Sequence, residues 1–408
     1  MKNYVIIGGG IASVGVIEGI RTLDTEGIIT LISAEDTPVY CRPLISYYLE
    51  GKTDFEKMKY RPDSFYPENK CQLTYGVADK IDCENKFVYI GEKRLPYSEL
   101  CIATGATPVS IDVPGKESIG TVYHFMTEAD ATALKEVLTP EKRVLICGAG
   151  LIGLKCAEGI KNLCGSVTVI DLANRVLSSI LDVDTAKLIE DKLTENGISV
   201  VLNDKITAFK DGVAVTANGQ EIPFDVYIEA IGVRPNVALV KGIADTNRGI
   251  LTDKRMATSA PCIYAAGDCA EGYDSSTGKN GVLALLPNAY MQGFAAGVNM
   301  AGGDKVYDDA IPMNAIGFFG LHALSAGRYD GELFETHVGN TVKRLYFKDD
   351  RLIGFMIVGD DVQGTGIYTD LIRRMLPLSA EAIEVLKVSP SLSVFDKEAR
   401  KTILGGNA

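Results

Sequence analysis

The chain has 408 residues, 46% hydrophobic and 23% charged, which is typical of a globular protein with two or three domains. Its net charge of −12 disfavours nucleic acid and anionic membranes as partners, because both are bound through basic surface. No apolar run approaches the roughly 18 residues of a membrane span, and the first residues lack the pattern of a secretory signal. We therefore expect a cytoplasmic protein with no membrane partner.

The cysteines indicate a reducing compartment. All nine are scattered along the chain without a C-x-x-C pair, which is typical of free thiols inside the cell. The three histidines lie far from any cysteine cluster. We therefore expect no metal site and no iron–sulfur cluster held by this chain itself.

The chain opens with a β-α-β unit. A buried strand is predicted over residues 4–7, then a helix to about residue 21 and a second strand over 28–32. Between the first strand and the helix, Gly8, Gly10 and Ser13 form a G-x-G-x-x-S variant of the dinucleotide fingerprint. The first glycine allows the sharp turn, the second lets the backbone approach a pyrophosphate, and the small third residue preserves close helix packing.

The next region is predicted to mix short strands and turns. Short antiparallel strands are expected over 80–82 and 86–90, and a further strand ends in the tight turn Ala103-Thr104-Gly105. A helix is predicted over 127–138, with Thr127 as its N-cap.

A second β-α-β unit follows at 143–171. A strand over 143–147 runs into a full G-x-G-x-x-G fingerprint formed by Gly148, Gly150 and Gly153, which opens a helix. The strand after that helix ends in Asp171, in the position that holds a ribose 2′-hydroxyl. An acid there favours NADH, because the 2′-phosphate of NADPH would need cations; Arg175, four residues on, leaves that choice open.

The remaining elements are predicted with fewer motifs. A helix is expected over 185–196, strands alternate over 200–230, and residues 230–236 cross back to the first domain. A strand over 263–270 carries Gly267-Asp268, and a helix runs over 287–300. A β-hairpin of 344–347 and 351–358 precedes a helix over 365–376.

These motifs, in this order, resemble the pyridine nucleotide–disulfide oxidoreductase superfamily of two-dinucleotide-binding flavoproteins. The similarity is strongest to the branch of NADH:rubredoxin reductases, ferredoxin reductases and the flavin domain of the nitrite reductase large subunit. It covers about residues 1–375. The motifs are Gly8-x-Gly10, Tyr40-x-Arg42-Pro43, Ala103-Thr-Gly105, Gly148-x-Gly150-x-x-Gly153, Ile231-Gly-Val-Arg-Pro235 and Ala266-Gly-Asp268.

The resemblance implies an α/β fold with two Rossmann-like dinucleotide-binding domains. The FAD domain would comprise 1–111 and 246–312, and the NAD domain, 112–245, would be inserted into it. Residues 313–408 would form a small C-terminal α+β interface domain with an extended tail. That third domain often completes a dimer in the family, so a homodimer is one expectation. The tail beyond residue 377 would either close such a dimer or hold the electron carrier.

The resemblance also implies non-covalent FAD, with NAD(H) as co-substrate. Glu35 would hold the adenosine ribose, Asp268 the ribityl chain, and the helix from Pro287 would point at the flavin pyrimidine end. Arg42 would approach an FAD phosphate or lie behind the isoalloxazine. The FAD residues are Gly8, Gly10, Ala12, Ser13, Glu35, Arg42, Ala78, Ala103, Thr104, Gly105, Gly267, Asp268 and Pro287. The NAD residues are Gly148, Gly150, Leu151, Ile152, Gly153, Asp171 and Gly232.

The sequence departs from the family at one important pair. Relatives carry a lysine where Tyr47 stands and a glutamate where Lys155 stands, and the two form an ion pair beside flavin N5. Our hypothesis is that Lys155 supplies the positive charge near N5, with Tyr47 in the place of the lysine. The alternative is a solvated helix lysine.

Cys41 is the candidate for a second chemistry. Single-cysteine relatives act as NADH oxidases, peroxidases and CoA-disulfide reductases, but their Ser-x-x-x-Cys motif is missing here. The neighbouring Arg42 could lower the pKa of the Cys41 thiol. The alternative is a small packing residue.

The function expected from these residues is that of an FAD-dependent NADH oxidoreductase. Hydride would move between nicotinamide C4 and flavin N5, and single electrons would pass to or from a small iron–sulfur carrier, a rubredoxin or a ferredoxin-like protein. The rivals are an oxidase, peroxidase or disulfide reductase using Cys41, and a redox-sensing flavoprotein with little turnover. An acidic carrier would need a basic patch, for which Lys343-Arg344 and Arg373-Arg374 are candidates beside the alternative of solvated charges.

Overall fold

The chain alternates short strands and helices up to about residue 300 and continues mostly as antiparallel strands. The computed structural model describes residues 1–395, 397 and 400. The elements up to residue 110 are β1 (Asn3–Ile7), α1 (Ile11–Arg21), β2 (Ile28–Ser33), α2 (Ile45–Leu49), α3 (Phe55–Met58), α4 (Phe65–Glu68), β3 (Cys71–Tyr75), β4 (Lys80–Asp82), β5 (Phe87–Ile90), β6 (Lys93–Pro96), β7 (Glu99–Ile102) and β8 (Ala106–Pro108). Those up to residue 245 are β9 (Val122–Tyr123), α5 (Glu128–Val137), β10 (Arg143–Cys147), α6 (Leu151–Ile160), β11 (Ser166–Ile170), α7 (Val183–Glu195), β12 (Ile198–Val201), β13 (Ile206–Lys210), β14 (Val213–Thr216), β15 (Glu221–Pro223), β16 (Val226–Glu229) and β17 (Val233–Pro235). The later ones are β18 (Ile250–Leu251), β19 (Ile263–Ala265), β20 (Ala270–Asp274), β21 (Lys279–Gly281), α8 (Leu286–Met300), β22 (Met313–Phe318), β23 (Leu321–Gly327), β24 (Glu332–Val338), β25 (Thr341–Lys348), β26 (Arg351–Gly359), α9 (Thr365–Arg374) and α10 (Ala380–Val388).

The first β-α-β unit lies in a parallel five-stranded sheet with the order β19-β7-β1-β2-β3. Its central strand β1 is apolar and buried from Tyr4 to Ile7, as expected for a strand covered on both faces. The parallel pairing places the carboxyl ends of β1, β7 and β19 at one edge, where ligands bind in open α/β sheets.

Helices α1 and α8 pack against each other at backbone distance. A Cβ atom added at Gly15 would lie 2.3 Å from the carbonyl oxygen of Tyr290, and one at Gly19 would lie 2.3 Å from that of Phe294. The fit is reciprocal, because a Cβ at Gly293 would lie 2.0 Å from the carbonyl oxygen of Ala12. Glycines on both helices therefore fix the start of α8 relative to the first fingerprint turn.

The second β-α-β unit repeats the arrangement in a sheet of its own. This parallel five-stranded sheet has the order β12-β11-β10-β16-β9. Helix α5 covers it and begins with a capping box: the Thr127 side chain accepts from the backbone N–H of Asp130, whose carboxylate accepts from that of Thr127. The predicted cap at Thr127 is therefore confirmed.

An antiparallel pair of β8 and β17 links the two regions. Asn236 follows β17, and its side-chain amide donates to the carbonyl oxygen of Thr104 at 2.9 Å. The Thr104 hydroxyl donates back to the carbonyl oxygen of Asn236, also at 2.9 Å. The crossing predicted at 230–236 thus lies directly against the 103–105 turn.

The third region is an antiparallel five-stranded sheet with the order β22-β23-β26-β25-β24. The predicted hairpin is confirmed as β25 and β26, and α9 packs on the sheet through Tyr368, Leu371 and Ile372. Strands β22, β23 and β24 and helix α10 were not predicted. Positions 396, 398–399 and 401–408 lie outside the described residues, and the role predicted for the tail stays a prediction.

The fold class is confirmed as α/β with two Rossmann-type sheets. The domain boundaries remain a prediction. Among residues 1–395, 397 and 400, no helix has the length and apolar character needed to cross a membrane.

Candidate functional site

The first fingerprint turn has the geometry of a phosphate cradle. Gly8 has a φ of +124°, and a Cβ there would lie 1.9 Å from the carbonyl oxygen of Ala103, so only glycine fits. A Cβ at Gly10, by contrast, would meet nothing within 4 Å. Ser13 is fully buried, and its hydroxyl donates to the carbonyl oxygen of Gly10 at 2.7 Å. The open side of Gly10 is where a pyrophosphate could approach the backbone.

In the second fingerprint turn, too, some glycines are tightly packed and one is open. A Cβ at Gly148, whose φ is +115°, would lie 2.3 Å from the carbonyl oxygen of Ala230. One at Gly153 would lie 2.0 Å from the carbonyl oxygen of Gly148, whereas one at Gly150 would meet nothing within 4 Å. Two equivalent cradles therefore exist, each open at its second glycine.

The helices behind the cradles suit an anion. Gly10 and Gly150 are the N-caps of α1 and α6, and neither helix has a side-chain cap or an acidic residue in its first turn. The first backbone N–H groups of both helices are thus available, together with the positive end of each helix dipole. The residues present therefore fit two dinucleotide pyrophosphates. Ala12 lies in the first turn of α1, and Leu151 and Ile152 lie in the first turn of α6. All three are therefore close to the open glycines.

Asp171 lies immediately after β11, at the mouth of the second cradle. Its carboxylate accepts from the backbone N–H of Ala149 at 2.6 Å and from that of Ala173 at 2.7 Å. It is therefore fixed against the fingerprint turn itself. Arg175 donates instead to the carbonyl oxygens of Leu181 at 2.8 Å and Ser178 at 3.0 Å. The Arg175 guanidinium, which could have bound a 2′-phosphate, instead donates hydrogen bonds within its own loop.

Glu35 and Arg42, which the sequence assigned to different parts of FAD, form an ion pair. The other carboxylate oxygen of Glu35 accepts from the Tyr40 hydroxyl at 2.6 Å, and Arg42 also donates to the carbonyl oxygen of Met126 at 2.8 Å. Burial raises the pKa of Tyr40, which keeps that hydroxyl a donor. The tyrosine and arginine of one motif thus jointly orient Glu35.

The flavin-side positions cluster around Asp268. Its carboxyl is mostly buried, which raises its pKa, while the charge of Arg42 opposes that rise. The backbone N–H of Gly267 donates to the Gln292 side chain at 2.8 Å, tying this turn to α8. Helix α8 begins at Leu286 with Pro287 in its first turn and no acidic residue there. No acidic side chain at its N-terminus would repel an electron-rich group, and the predicted flavin contact stays a prediction.

The other predicted positions lie in turns near these cradles. Ala103 donates its N–H to the carbonyl oxygen of Ile7 at 2.7 Å. Gly105 and Gly232 both have positive φ, and a Cβ at either would meet nothing within 4 Å. Ala78 is half-buried in the connection from β3 to β4. Asn236, which joins the two regions at Thr104, was missed, although it follows the Ile231–Pro235 motif directly.

Lys155 is not a solvated helix lysine, since its side chain is only 16% exposed and its Nζ pairs with Glu158, whose side chain is 10% exposed. The ammonium also lies 5.0 Å from the centroid of the Tyr47 ring, so the two residues that depart from the family pattern are neighbours. It lies 3.3 Å from the carbonyl oxygen of Gly317. The first, second and third regions therefore meet at this one side chain.

Glu158 is a residue that sequence reasoning missed. One of its carboxylate oxygens binds Lys155, and the other accepts from the backbone N–H of Phe319 at 2.6 Å. An anion therefore stands about one helical turn after Lys155 on α6 and is paired with it. The i, i+3 spacing from Lys155 is a signal, but it is shared by many ordinary helix pairs.

The expectation of a low-pKa thiol at Cys41 is wrong. Burial is the largest influence and raises the pKa of Cys41, although contacts with Tyr60 and the backbone of Leu44 oppose the rise. Arg42 turns its guanidinium to Glu35 instead of the thiol. Cys41 is therefore a half-buried thiol with reduced nucleophilic character at neutral pH.

The candidate basic patch at Lys343-Arg344 is also wrong. Both residues are only 8% exposed. Lys343 donates to the carbonyl oxygens of Lys387 and Val388, while Arg344 pairs with Asp182, Asp184 and Glu335. They connect parts of the molecule and offer no charge to a partner. In the described part of the chain, no group of three or more His, Cys, Asp or Glu side chains could hold a metal ion.

Comparison with known proteins identifies the class. The family model described as pyridine nucleotide-disulphide oxidoreductase matches residues 2–293, so the chain belongs to that family. It is 30% identical over 394 residues to the NADH-dependent phenylglyoxylate dehydrogenase subunit epsilon of Aromatoleum evansii, covering 92% of this chain and 93% of that one. It is 29% identical over 411 residues to the nitrite reductase [NAD(P)H] of Bacillus subtilis, covering 95% of this chain. The chain spans about half that enzyme's length, 49%.

A solved structure is similar over nearly the whole chain. NADH:rubredoxin oxidoreductase from Clostridium acetobutylicum superposes with a TM-score of 0.76 at 25% identity, covering 94% of this chain and 99% of that one. The prediction of a two-dinucleotide flavoprotein oxidoreductase of this branch, with FAD and NAD(H) as its cofactors, is thereby confirmed.

Proposed function

We propose that this chain passes electrons between NAD(H) and a small iron–sulfur carrier, a rubredoxin or a ferredoxin-like protein. The observation that carries the proposal is the junction of α6, from the second cradle, with α2, from the first region. A Cβ at Gly159 would lie 3.1 Å from the carbonyl oxygen of Ser46, and Lys155 contacts the Tyr47 ring beside it. The two proposed nucleotide-binding regions thus meet at this junction, and burial raises the pKa of the Cys41 thiol that precedes α2.

The first cradle is proposed to hold FAD, which when bound supplies a two-electron acceptor that can release electrons singly. The open backbone at Gly10 would receive the pyrophosphate, and Glu35 would bind the adenosine ribose through lone pairs left free by Tyr40 and Arg42. Asp268 has a carboxylate that accepts no hydrogen bond from another described residue, so it suits a ribityl hydroxyl. Pro287 would place the N-terminus of α8 toward the pyrimidine ring.

The second cradle is proposed to hold NADH in preference to NADPH. Asp171 is held at the turn by two backbone N–H groups and would accept from a ribose 2′-hydroxyl with its remaining lone pairs. A 2′-phosphate would meet this carboxylate, while Arg175 is turned away into its loop. Repulsion between the two anions supports the preference for NADH.

Lys155 is proposed to provide the positive charge beside the site of hydride transfer. Glu158 and the Gly317 carbonyl oxygen hold its ammonium in place, and the Tyr47 ring adds a cation–π contact at 5.0 Å. The ion pair with Glu158 has no net charge, so the ammonium would stabilise negative charge only where it develops closer to Lys155 than to Glu158. The lysine thereby takes over the position that a glutamate has in the resembling branch.

The domain limits are proposed as 1–111 with 246–312, 112–245, and 313–408. The strand composition of the sheets supports them, since β18 at Ile250–Leu251 pairs with β20 and not with the second sheet. Homodimer formation and a cytoplasmic location remain predictions.

The proposal is tested by steady-state NADH oxidation with rubredoxin, ferredoxin, oxygen, peroxide and CoA disulfide as acceptors. We expect turnover with one of the two iron–sulfur carriers to exceed turnover with each other acceptor, and Cys41→Ser to leave it unchanged. Faster turnover with peroxide or a disulfide, lost in Cys41→Ser, would establish the rival enzyme class. Slow flavin reduction by NADH in stopped flow would instead favour a redox sensor.

A further inference from the structure

Two helices of the second region carry a lysine and a glutamate three residues apart, and the two pairs have different surroundings. On α7, Lys187 pairs with Glu190, and the lysine side chain is 57% exposed. On α6, Lys155 pairs with Glu158, and the two side chains are 16% and 10% exposed. Solvent screens an exposed charge strongly and a buried one much less. Removing one member of the α6 pair would therefore leave a poorly screened charge.

The turn between β22 and β23 holds Glu158 from the third region. Phe319 and Gly320 form this two-residue turn, with φ angles of +49° and +85°. Such turns favour asparagine, aspartate or glycine at the first position, and phenylalanine is an unusual residue there. The Phe319 backbone N–H donates to Glu158 at 2.6 Å, and the Phe319 side chain packs against the core that contains α6. A residue in an unfavourable conformation thus supplies the contact that fixes the carboxylate.

The charges around Lys155 are balanced. Glu158 neutralises Lys155, whose ammonium lies against the Tyr47 ring. The Lys52 ammonium lies 5.7 Å from the centroid of the same ring and pairs with Glu50. Loss of either member of the α6 pair would therefore leave one uncompensated charge, positive without Glu158 and negative without Lys155.

We propose that Glu158 is a positioning residue that lowers the reduction potential of the flavin by offsetting the charge of Lys155. This inference rests on the proposed function, in which FAD lies beside Lys155. A lone ammonium there would stabilise the negative charge of a reduced flavin and make that flavin a weaker reductant. With Glu158 paired to the ammonium, the flavin can accept hydride from NADH and still pass electrons on to an iron–sulfur carrier.

The test is a redox titration of the FAD-loaded protein with a chemical reductant and a reference dye. Glu158→Gln keeps an acceptor for the Phe319 N–H but removes the charge. We expect it to raise the flavin potential by the equivalent of about a tenfold change in equilibrium constant, about 30 mV for two electrons. Lys155→Met should shift the potential in the opposite direction, and the double variant, in which neither residue is charged, should return close to the parent. Glu190→Gln is the matched control on α7 and should leave the potential unchanged.

Melting of the FAD-free protein gives a second readout of the same pair. Removing one partner of a buried ion pair destabilises a protein, whereas replacing both partners is often nearly neutral. Glu158→Gln and Lys155→Met should therefore each melt lower than the parent, and the double variant should recover most of the loss.

If Glu158→Gln alone does not fold, the comparison of Lys155→Met with the double variant still decides, because only the double variant should have the parent's potential. An unchanged potential in Glu158→Gln, shifts of both single variants in the same direction, or a double variant with the potential of Lys155→Met would each overturn the proposal. The titration needs neither NADH nor a carrier, so it can fail or succeed separately from the test of the proposed function with different acceptors.

Discussion

The two fingerprint helices, α1 and α6, start from nearly the same turn but differ in what surrounds them. Helix α1 is buried along most of its length and packs on α8 through glycines. Helix α6 carries the Lys155–Glu158 pair, which reaches both the first and the third regions. The comparison shows that the glycines of such a turn indicate that a dinucleotide binds. We propose that the side chains one or two turns along the helix then distinguish a cradle that only binds from one that contributes to chemistry.

The largest effect is expected from a valine at the first glycine of either turn, and the two variants should lose different activities. Gly148→Val would place a branched side chain at a φ of +115° against the Ala230 carbonyl oxygen, a strain of about 1–3 kcal/mol before the clash is counted. We expect it to keep FAD but lose flavin reduction by NADH, while dithionite still reduces the flavin. Gly8→Val should instead lose FAD, as measured by absorbance after gel filtration. Loss of FAD from both variants to the same degree would contradict two independent cradles.

The next largest effect concerns the charged pair that only α6 has. Lys155→Met should slow hydride transfer about tenfold and shift the flavin potential to a more negative value, because a positive charge near the reduced flavin is lost. Stopped-flow reduction and redox titration measure the two quantities. Lys187→Met, at an exposed lysine of α7, is the control and should change neither. An unchanged potential together with an unchanged rate would remove Lys155 from the mechanism.

An effect of similar size is expected at the acids that follow the second strand of each unit. Asp171 binds its own turn, whereas Glu35 binds Arg42 and Tyr40. Asp171→Ala should reduce the preference for NADH over NADPH about tenfold, roughly 1.4 kcal/mol, in the ratio of kcat/KM. Glu35→Ala should leave this ratio unchanged and weaken FAD binding. The assignment fails if the ratio responds equally to both substitutions.

The smallest effect is on stability. Burial raises the pKa of Asp268 in the folded protein above its unfolded value of about 3.9, so the ionised form opposes folding at neutral pH. The FAD-free Asp268→Asn variant should therefore melt higher than the FAD-free parent, by about a degree. The difference should vanish as the pH falls below about 4, where the parent carboxyl is protonated. A lower melting temperature for the variant at neutral pH would show that Asp268 has stabilising partners.

The sequence predicted the parts of the fold that depend on local geometry. Both glycine turns, the cap at Thr127 and the hairpin of β25 and β26 follow from short patterns with one low-energy solution. Strands β22 and β23 were missed because a Phe-Phe-Gly turn at 318–320 interrupts their alternation. Burial by distant elements was the harder problem: Lys343 and Arg344 read as a surface pair, but the sheet turns them toward partners far along the chain.

The same limit explains the outcome at the site. For Cys41 the sequence left open an activated thiol beside Arg42 or a small packing residue, because it does not show where the guanidinium points; in the structure this arginine binds Glu35. Glu158 was overlooked because its role depends on Phe319, which lies far away in sequence. Motifs identify what is bound, whereas the pKa and the partners of an individual side chain depend on long-range packing.

The glycine contact between α1 and α8 has a consequence for how this chain can vary over evolutionary time. Gly15, Gly19, Gly293 and Gly297 would each drive a Cβ into a backbone carbonyl of the opposite helix. A methyl group added on one helix would meet backbone and not a side chain on the other. No smaller residue on the opposite helix could therefore make room for it. These positions should therefore tolerate almost no substitution in a saturation library, including alanine, even though none of them touches a nucleotide.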